Sequence, residues 1–155
     1  MREILFRGKK KDSGEWVCGD LIQLHEEASY WYILPEGISS EMYEDEPYHF
    51  RQNDVMCSVA LAKIIPETVG QFTGLTDKNG KKIFEGDIIR FEDNLYIVQR
   101  ECDTLGGYWA ETGYILKQIG WDDYIHFTDT IDDWCNEMIV FVVGNKWDNP
   151  ELLGE

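Results

Sequence analysis

PETVGQFTGLTDKNGKKIFEGDIIRF, Pro66 to Phe91, joins an extended run, a four-residue turn and a second extended run without a break. Thr68 to Thr76 is β-branched and aromatic, and Gly70 and Gly74 interrupt it, which predicts a strand that bends or is approached closely by another backbone. Asp77-Lys78-Asn79-Gly80 is a strong turn signal: Asp can bond its own backbone two residues on, and Gly80 supplies a positive φ. The chain then returns through Lys82 to Phe84. Gly86-Asp87 reads as a corner, from which Ile88 to Phe91 leaves as a new strand, paired across Asp93-Asn94 with Leu95 to Arg100. Two linked hairpins of this kind predict a small curled sheet of SH3-like barrel character.

Working outward, Glu3 to Gly8 and Glu15 to Leu24 form an opening hairpin around the polar turn Lys9 to Gly14, with Trp16, Cys18 and Ile22 inward. SGEWVCGDLI (13–22) echoes NGKKIFEGDII (79–89): both have a turn glycine, an aromatic-bearing strand, a Gly-Asp corner and an aliphatic continuation. Two copies make no solenoid, so the echo reads as one device used twice. Ser29 to Leu34 is a third strand, with Trp31 and Ile33 alternating against Tyr30, Tyr32 and Leu34. Pro35 to Asp54 loses periodicity and gathers Glu36, Glu41, Glu44, Asp45 and Glu46, which predicts a variable, exposed acidic loop. Val55 to Ile65 reads as strand, since Pro66 disfavours helix at Ile65. Tyr108 to Ala110 and Tyr114 to Trp121 are strand-like, hinged by Gly106-Gly107 and Gly113. Asp129 to Met138 holds the best helical pattern, Ile139 to Val143 reads as a buried central strand, and Asn149-Pro150 caps a last short turn.

A chain of 155 residues suits one domain spanning 1–155, with a smaller β-subdomain around 1–34 as an option. With 14% aromatic residues it has the apolar surface to fold without a staple. A net charge of −16 disfavours direct nucleic-acid binding. The first eleven residues nevertheless hold Arg2, Arg7, Lys9, Lys10 and Lys11 against one acid, Glu3, so a basic edge on an acidic body is an alternative. Cys18, Cys57, Cys102 and Cys135 show no paired spacing, which predicts free thiols and no zinc site. MREILFRGKKKD lacks an apolar core, and Met138 to Val143, the longest apolar run, cannot span a bilayer. The expectation is a soluble, cytoplasmic protein.

The sequence resembles the YopX family of phage and prophage proteins. REILFRGK and GEWVCGDLI carry the resemblance at the start, through Gly14, Trp16, Gly19 and Asp20. PETVGQFTGLTDKNGKKIFEGDII carries it in the middle, through Pro66, Glu67, Thr68, Gly70, Gln71, Gly74, Asp77, Gly80, Gly86 and Asp87. GNKWDNPELL carries it at the end, through Gly144, Asn145, Asn149 and Pro150. Cys18 stands where an aromatic residue is expected, and Lys146-Trp147 where a more aliphatic and aromatic pair is. The resemblance implies a mostly-β fold acting in the cytoplasm of a bacterium that carries a phage or prophage. The family is tied to no reaction, so no catalytic residue or cofactor carries over.

Chemistry-bearing residues each have a plainer reading. His25 beside Glu26-Glu27, or His49 near Glu44 to Glu46, lacks the i, i+4 spacing or cysteine partner of a firm metal site. His126 lies in an apolar strand pattern. Thr68, Gln71 and Thr73 could bond a ligand or, more simply, the backbone of a bent strand, and Asp87 could be an acid or a turn-fixing acceptor. No phosphate-loop spacing occurs. Trp31 and Tyr32, with Gln71 and Thr73, are candidate interaction residues. The reading is a non-enzymatic accessory protein without metal or cofactor that binds another protein or itself through a strand edge or aromatic patch, the association strengthening with salt. The alternatives are a protein of nucleic-acid processes, either an acidic DNA mimic or one that binds through the basic edge Arg7 to Lys11, and a small hydrolase.

Overall fold

The computed structural model describes residues 4–25, 29–36, 48–52, 55–59, 61–100, 114–120, 124–126 and 140–154. The expected strand at 108–110, its flanking glycine hinges, the helix at 129–138, and Cys102 and Cys135 lie outside them. The protein is mostly β, and its chain divides into two compact units between Gln71 and Phe72.

In the first unit, β1 (Phe6–Lys9) and β2 (Trp16–His25) form the expected hairpin, and β3 (Ser29–Pro35) follows antiparallel, in register from Gly19 opposite Pro35 to His25 opposite Ser29. The two-residue strand β6 (Ala62–Lys63) pairs with β3, placing Lys63 opposite Tyr32. Leu5, Ile33, Ala62 and Ile64 are buried. Between β3 and β6, β4 (Tyr48–Gln52) pairs with β5 (Val55–Val59). The expected loop over Pro35 to Asp54 is thus wrong at both ends. Pro35 closes β3, and Tyr48 to Gln52, with aromatic Tyr48 and Phe50, has a β-prone partner in Val55 to Val59 that outweighs the lack of alternation.

The strand expected from Thr68 begins only at Gly70. Pro66–Thr68 is instead a 3-10 turn with Pro at its start, where the missing N–H costs nothing and the fixed φ suits a helical entry. β7 (Gly70–Thr76) then sets Gly70 and Gln71 beside Arg7 and Phe6 of β1 and continues into the second unit.

In that unit β7 pairs with β8 (Lys82–Phe84) around a bulge between Phe72 and Thr76, and Gly74 takes the positive φ of 91° there. β9 (Asp87–Phe91), β10 (Asn94–Arg100), β11 (Tyr114–Gln118), β12 (Tyr124–His126) and β13 (Val140–Asn145) build a five-stranded antiparallel sheet ordered β12-β11-β10-β9-β13. Ile83, Ile89, Tyr96, Val98, Leu116 and Val140 form its core. The described strands close into no barrel.

Two details depart from the sequence reading. The β9–β10 turn is Glu92-Asp93, one residue earlier than expected, because Asn94 pairs with Phe91; Glu92 accepts the positive φ of 51° that an Asn or Gly would hold with less strain. Its carboxylate sits near Tyr96, whose phenol is pushed above its ordinary range by burial first and by Glu92 second. Among the described strands β13 lies at the edge of its sheet, not at the centre. Side chains cover its apolar residues: the Lys78 ammonium lies 5.4 Å, and the Arg90 guanidinium 5.9 Å, from the Phe141 ring.

The Asp77–Gly80 turn takes up that edge. Asp77 is 5% exposed. Its Oδ1 accepts the Asn79 and Lys81 N–H groups at 2.8 and 2.9 Å, and its Oδ2 accepts the Val142 N–H at 3.1 Å. The Lys78 N–H donates to the Val140 carbonyl at 3.0 Å. One carboxylate therefore shapes the turn and fastens it to β13. Gly80 closes the turn at φ 78°, with nothing near the place a Cβ would occupy. Strain alone then sets the cost of a side chain. Gly80→Val is expected to lower unfolding stability in urea by about 1–3 kcal/mol, and Gly80→Asn by less than half of that; equal stabilities for valine and glycine would contradict the turn geometry.

Candidate functional site

The site arises where the end of β1 meets the chain after β6. The Lys11 N–H donates to the Lys63 carbonyl and the Ile65 N–H to the Lys9 carbonyl, both at 2.9 Å, around a single bridge between Lys10 and Ile64. On the other side, the Ile64 N–H donates to Trp31 at 3.0 Å. The first sheet curls back on itself through this seam without completing a ladder. Gly8 permits the approach: a Cβ there would lie 3.0 Å from Ile64 Cδ1, closer than a methyl group tolerates without movement. Thr68 pins the seam, since its hydroxyl donates to the Ile65 carbonyl at 2.7 Å and accepts the Lys9 N–H at 2.9 Å.

The seam brings Lys63 to the sequence neighbours Lys10 and Lys11. Lys10, Lys11 and Lys63 line a cleft of about 440 Å³ together with Asp12, Tyr32, Leu61 and Ala62. The Lys63 ammonium sits 4.0 Å from the ring of Tyr30, which is 37% exposed. Asp12 is the cleft's one acid; the N–H of Ser13, at 2.6 Å, and more weakly Lys10 hold its carboxyl below the usual carboxylate range. A concavity lined by three lysines, a tyrosine and two aliphatic residues suits an anionic group carried on a larger body.

Arg7 does not belong to this basic surface. It is 8% exposed and stacks its guanidinium 4.8 Å over Trp16, whose ring also meets Lys9 at 5.5 Å. The basic edge read from Arg7 to Lys11 therefore narrows to lysines, and Lys63 joins it from a distant segment. Neither Lys63 nor Gly8 was singled out in sequence, and only the register of β3 against β6 links Lys63 to Tyr32.

Of the candidate interaction residues, Tyr32 lines the cleft and Trp31 is half-buried on the same strand. Gln71 is half-buried beside Phe6. Thr73 is corrected: it is fully buried, donates to the Ile83 carbonyl at 2.9 Å and accepts the Leu75 N–H at 3.3 Å, so it serves the β7 bulge. Asp87, 1% exposed, accepts the Phe84 N–H at 2.8 Å. Its neighbour Gly86 has φ 82°, and a Cβ there would overlap the Trp147 ring. Gly19-Asp20 is different, and the expected echo fails. It lies inside β2, with Asp20 exposed, and Gly19 is needed because a Cβ would overlap the Leu34 carbonyl. Gly14 closes the first hairpin turn at φ 72°, and Pro66, Glu67 and Gly70 flank the seam.

The C-terminal block is a latch of similar kind. Asn145 Oδ1 accepts the Trp147 and Asp148 N–H groups at 3.0 and 2.9 Å, while the Lys146 N–H donates to Gly86 at 2.9 Å. Asn149 precedes the 3-10 turn Pro150–Leu153 without capping it through its side chain; instead its Oδ1 accepts the Asn145 N–H at 3.3 Å, packed where Gly144 leaves no room for a Cβ.

Among the described residues no three of His, Cys, Asp and Glu converge as metal ligands. His25, His49 and His126 stand on three different strands, β2, β4 and β12. Cys18, half-buried on β2, forms no disulfide. No helix among the described residues is long and apolar enough to cross a membrane.

Fold and site together define a two-unit antiparallel β protein with a lysine-lined cleft on its first unit. The chain belongs to the YopX family, whose model, described as YopX protein, matches residues 5–154. The crystal structure of protein EF1440 from Enterococcus faecalis has a similar fold, with a TM-score of 0.53 and 17% identity over 99% of each chain. A comparison with curated proteins finds no match.

If Thr68 pins the seam, removing its hydroxyl takes an acceptor from the Lys9 N–H and a donor from the Ile65 carbonyl. Thr68→Val should lower unfolding stability by about 1–3 kcal/mol, and Thr68→Ser should recover most of it; a valine variant as stable as the parent would refute the role.

Proposed function

We propose that this YopX-family protein is a non-enzymatic binding module that associates with itself or another protein through the lysine cleft, acting in the cytoplasm of a bacterium that carries a phage or prophage. The observation that carries the reading is where the polar chemistry is directed. The oxygens of Thr68, Thr73, Asp77 and Asp87, the groups a catalytic reading would recruit, are engaged with backbone partners. The lysines and tyrosine of the cleft face a concavity.

The described surface favours a charged contact: its exposed large hydrophobic side chains are Ile4 and Tyr30, which make no apolar docking patch among the described residues. At a net charge of −16 copies repel one another unless opposite charges meet locally. Association through lysines must therefore weaken as salt rises, the reverse of the trend expected for an aromatic patch. Sedimentation velocity over a concentration series at low and high salt tests this. A concentration-dependent dimer or larger species at about 20 mM salt that dissociates by about 0.5 M is the expected outcome; a monomer throughout would remove self-association from the reading.

A further inference from the structure

Resting on that reading and naming its partner, we infer that the cleft of Lys10, Lys11 and Lys63 receives the acidic segment Glu36 to Glu46 of a second copy of the chain. That segment, EGISSEMYEDE, carries five acids and no base. The cleft carries three bases and one acid. The two are complementary, and they occur on one chain, so a two-fold pair can exchange them reciprocally: each copy gives its segment and receives its partner's, which doubles the contact and closes the assembly.

β3 runs from Ser29 past Tyr32 to Pro35, and the Glu36 N–H then donates to the Cys18 carbonyl at 3.2 Å. Glu36, the first acid of the run, is thereby held four residues, about 13 Å of extended chain, beyond Tyr32 and does not line the cleft, which leaves the cleft open to a neighbour's segment. Lysines suit such a ligand: their ammonium groups are compact charges on flexible stems, able to follow carboxylates spaced along a peptide without demanding one fixed geometry. Leu61, Ala62 and the Tyr32 ring supply an apolar floor, matched in the segment by Met42 and Tyr43.

Asp12 is the opposing charge within the cleft and makes the inference testable in both directions. The full chain is titrated calorimetrically with the synthetic peptide EGISSEMYEDE, with the same peptide carrying Gln at each acid, and with inorganic phosphate. The acidic peptide should bind saturably, one per chain, more weakly as salt rises, and should dissociate the self-assembled protein. Lys11→Glu with Lys63→Glu should weaken it about tenfold or more, and Asp12→Asn, which keeps the turn's acceptor oxygen, should strengthen it about two- to threefold. A gain of affinity cannot come from misfolding, and matched melting temperatures check the lysine variants. The inference is overturned by failure of the acidic peptide to bind, by equal binding of the Gln peptide, by tighter binding of phosphate than of the peptide, or by an affinity indifferent to the lysine reversals. A parent protein that assembles, and loses assembly in the Lys11→Glu, Lys63→Glu variant, yet binds no acidic peptide sinks this inference alone, whereas assembly that persists in that variant, or a monomeric parent protein at every concentration, sinks the self-association reading through the cleft with it.

Discussion

Backbone pairing between Lys9–Lys11 and Lys63–Ile65 is the constraint on which the first unit depends. A short curled sheet ends in N–H and carbonyl groups that must find partners, or each costs as much as a lost hydrogen bond. Residues 63 to 65 bond to Trp31 on one side and to Lys9 and Lys11 on the other, so two ragged ends satisfy each other. Thr68 supplies the remaining acceptor for the Lys9 N–H, and Gly8 supplies the room. The cleft is a by-product of this pairing. Lys63 meets Lys10 and Lys11 from a distant segment because their backbones, not their side chains, are joined.

The second unit meets the same requirement with side chains. Asp77 and the backbone of Lys78 occupy the edge of β13, Asp87 anchors the corner before β9, and Asn145 with Asn149 ties off the end of the sheet. These are the residues that mark the family-like blocks of the sequence. Their carboxylates and amides are acceptors for backbone N–H groups, which explains why the blocks are specific in sequence yet point to no reaction. A buried carboxylate holding several N–H groups is costly to replace by any side chain without the same acceptors.

Much of the fold was legible where local chemistry determines it. The Asp77–Gly80 turn, the β8 return, the Gly86-Asp87 corner and the opening hairpin all follow from turn residues and alternation. Readings failed where tertiary partners decide. The strand is expected to begin at β-branched Thr68, but Thr68 ends a 3-10 turn and its hydroxyl is needed at the seam. Ile139 to Val143 reads as central because both faces are apolar, yet among the described strands Val140–Asn145 stands at the edge, with cations over Phe141 and an Asp-built turn against it. The Gly-Asp echo misled because one dipeptide serves two purposes, a turn at 86–87 and a close strand approach at Gly19. The site was half legible: Lys9 to Lys11 stood out as a basic edge and Tyr32 as a candidate contact, but Lys63 reaches them only through strand register, which no local pattern encodes.

If the cleft is a consequence of the seam, the seam must be a stable part of the fold despite its exposed lysine side chains. Amide hydrogen exchange measured residue by residue on the intact protein tests this most directly. The Lys9, Lys11, Ile64 and Ile65 amides, donors to Thr68, Lys63, Trp31 and Lys9, should exchange at least about a hundredfold more slowly than the amide of Asp12 in the adjacent turn. Exchange of all five at one fast rate would mean that the seam is open in solution, and would contradict the account of how the cleft is made.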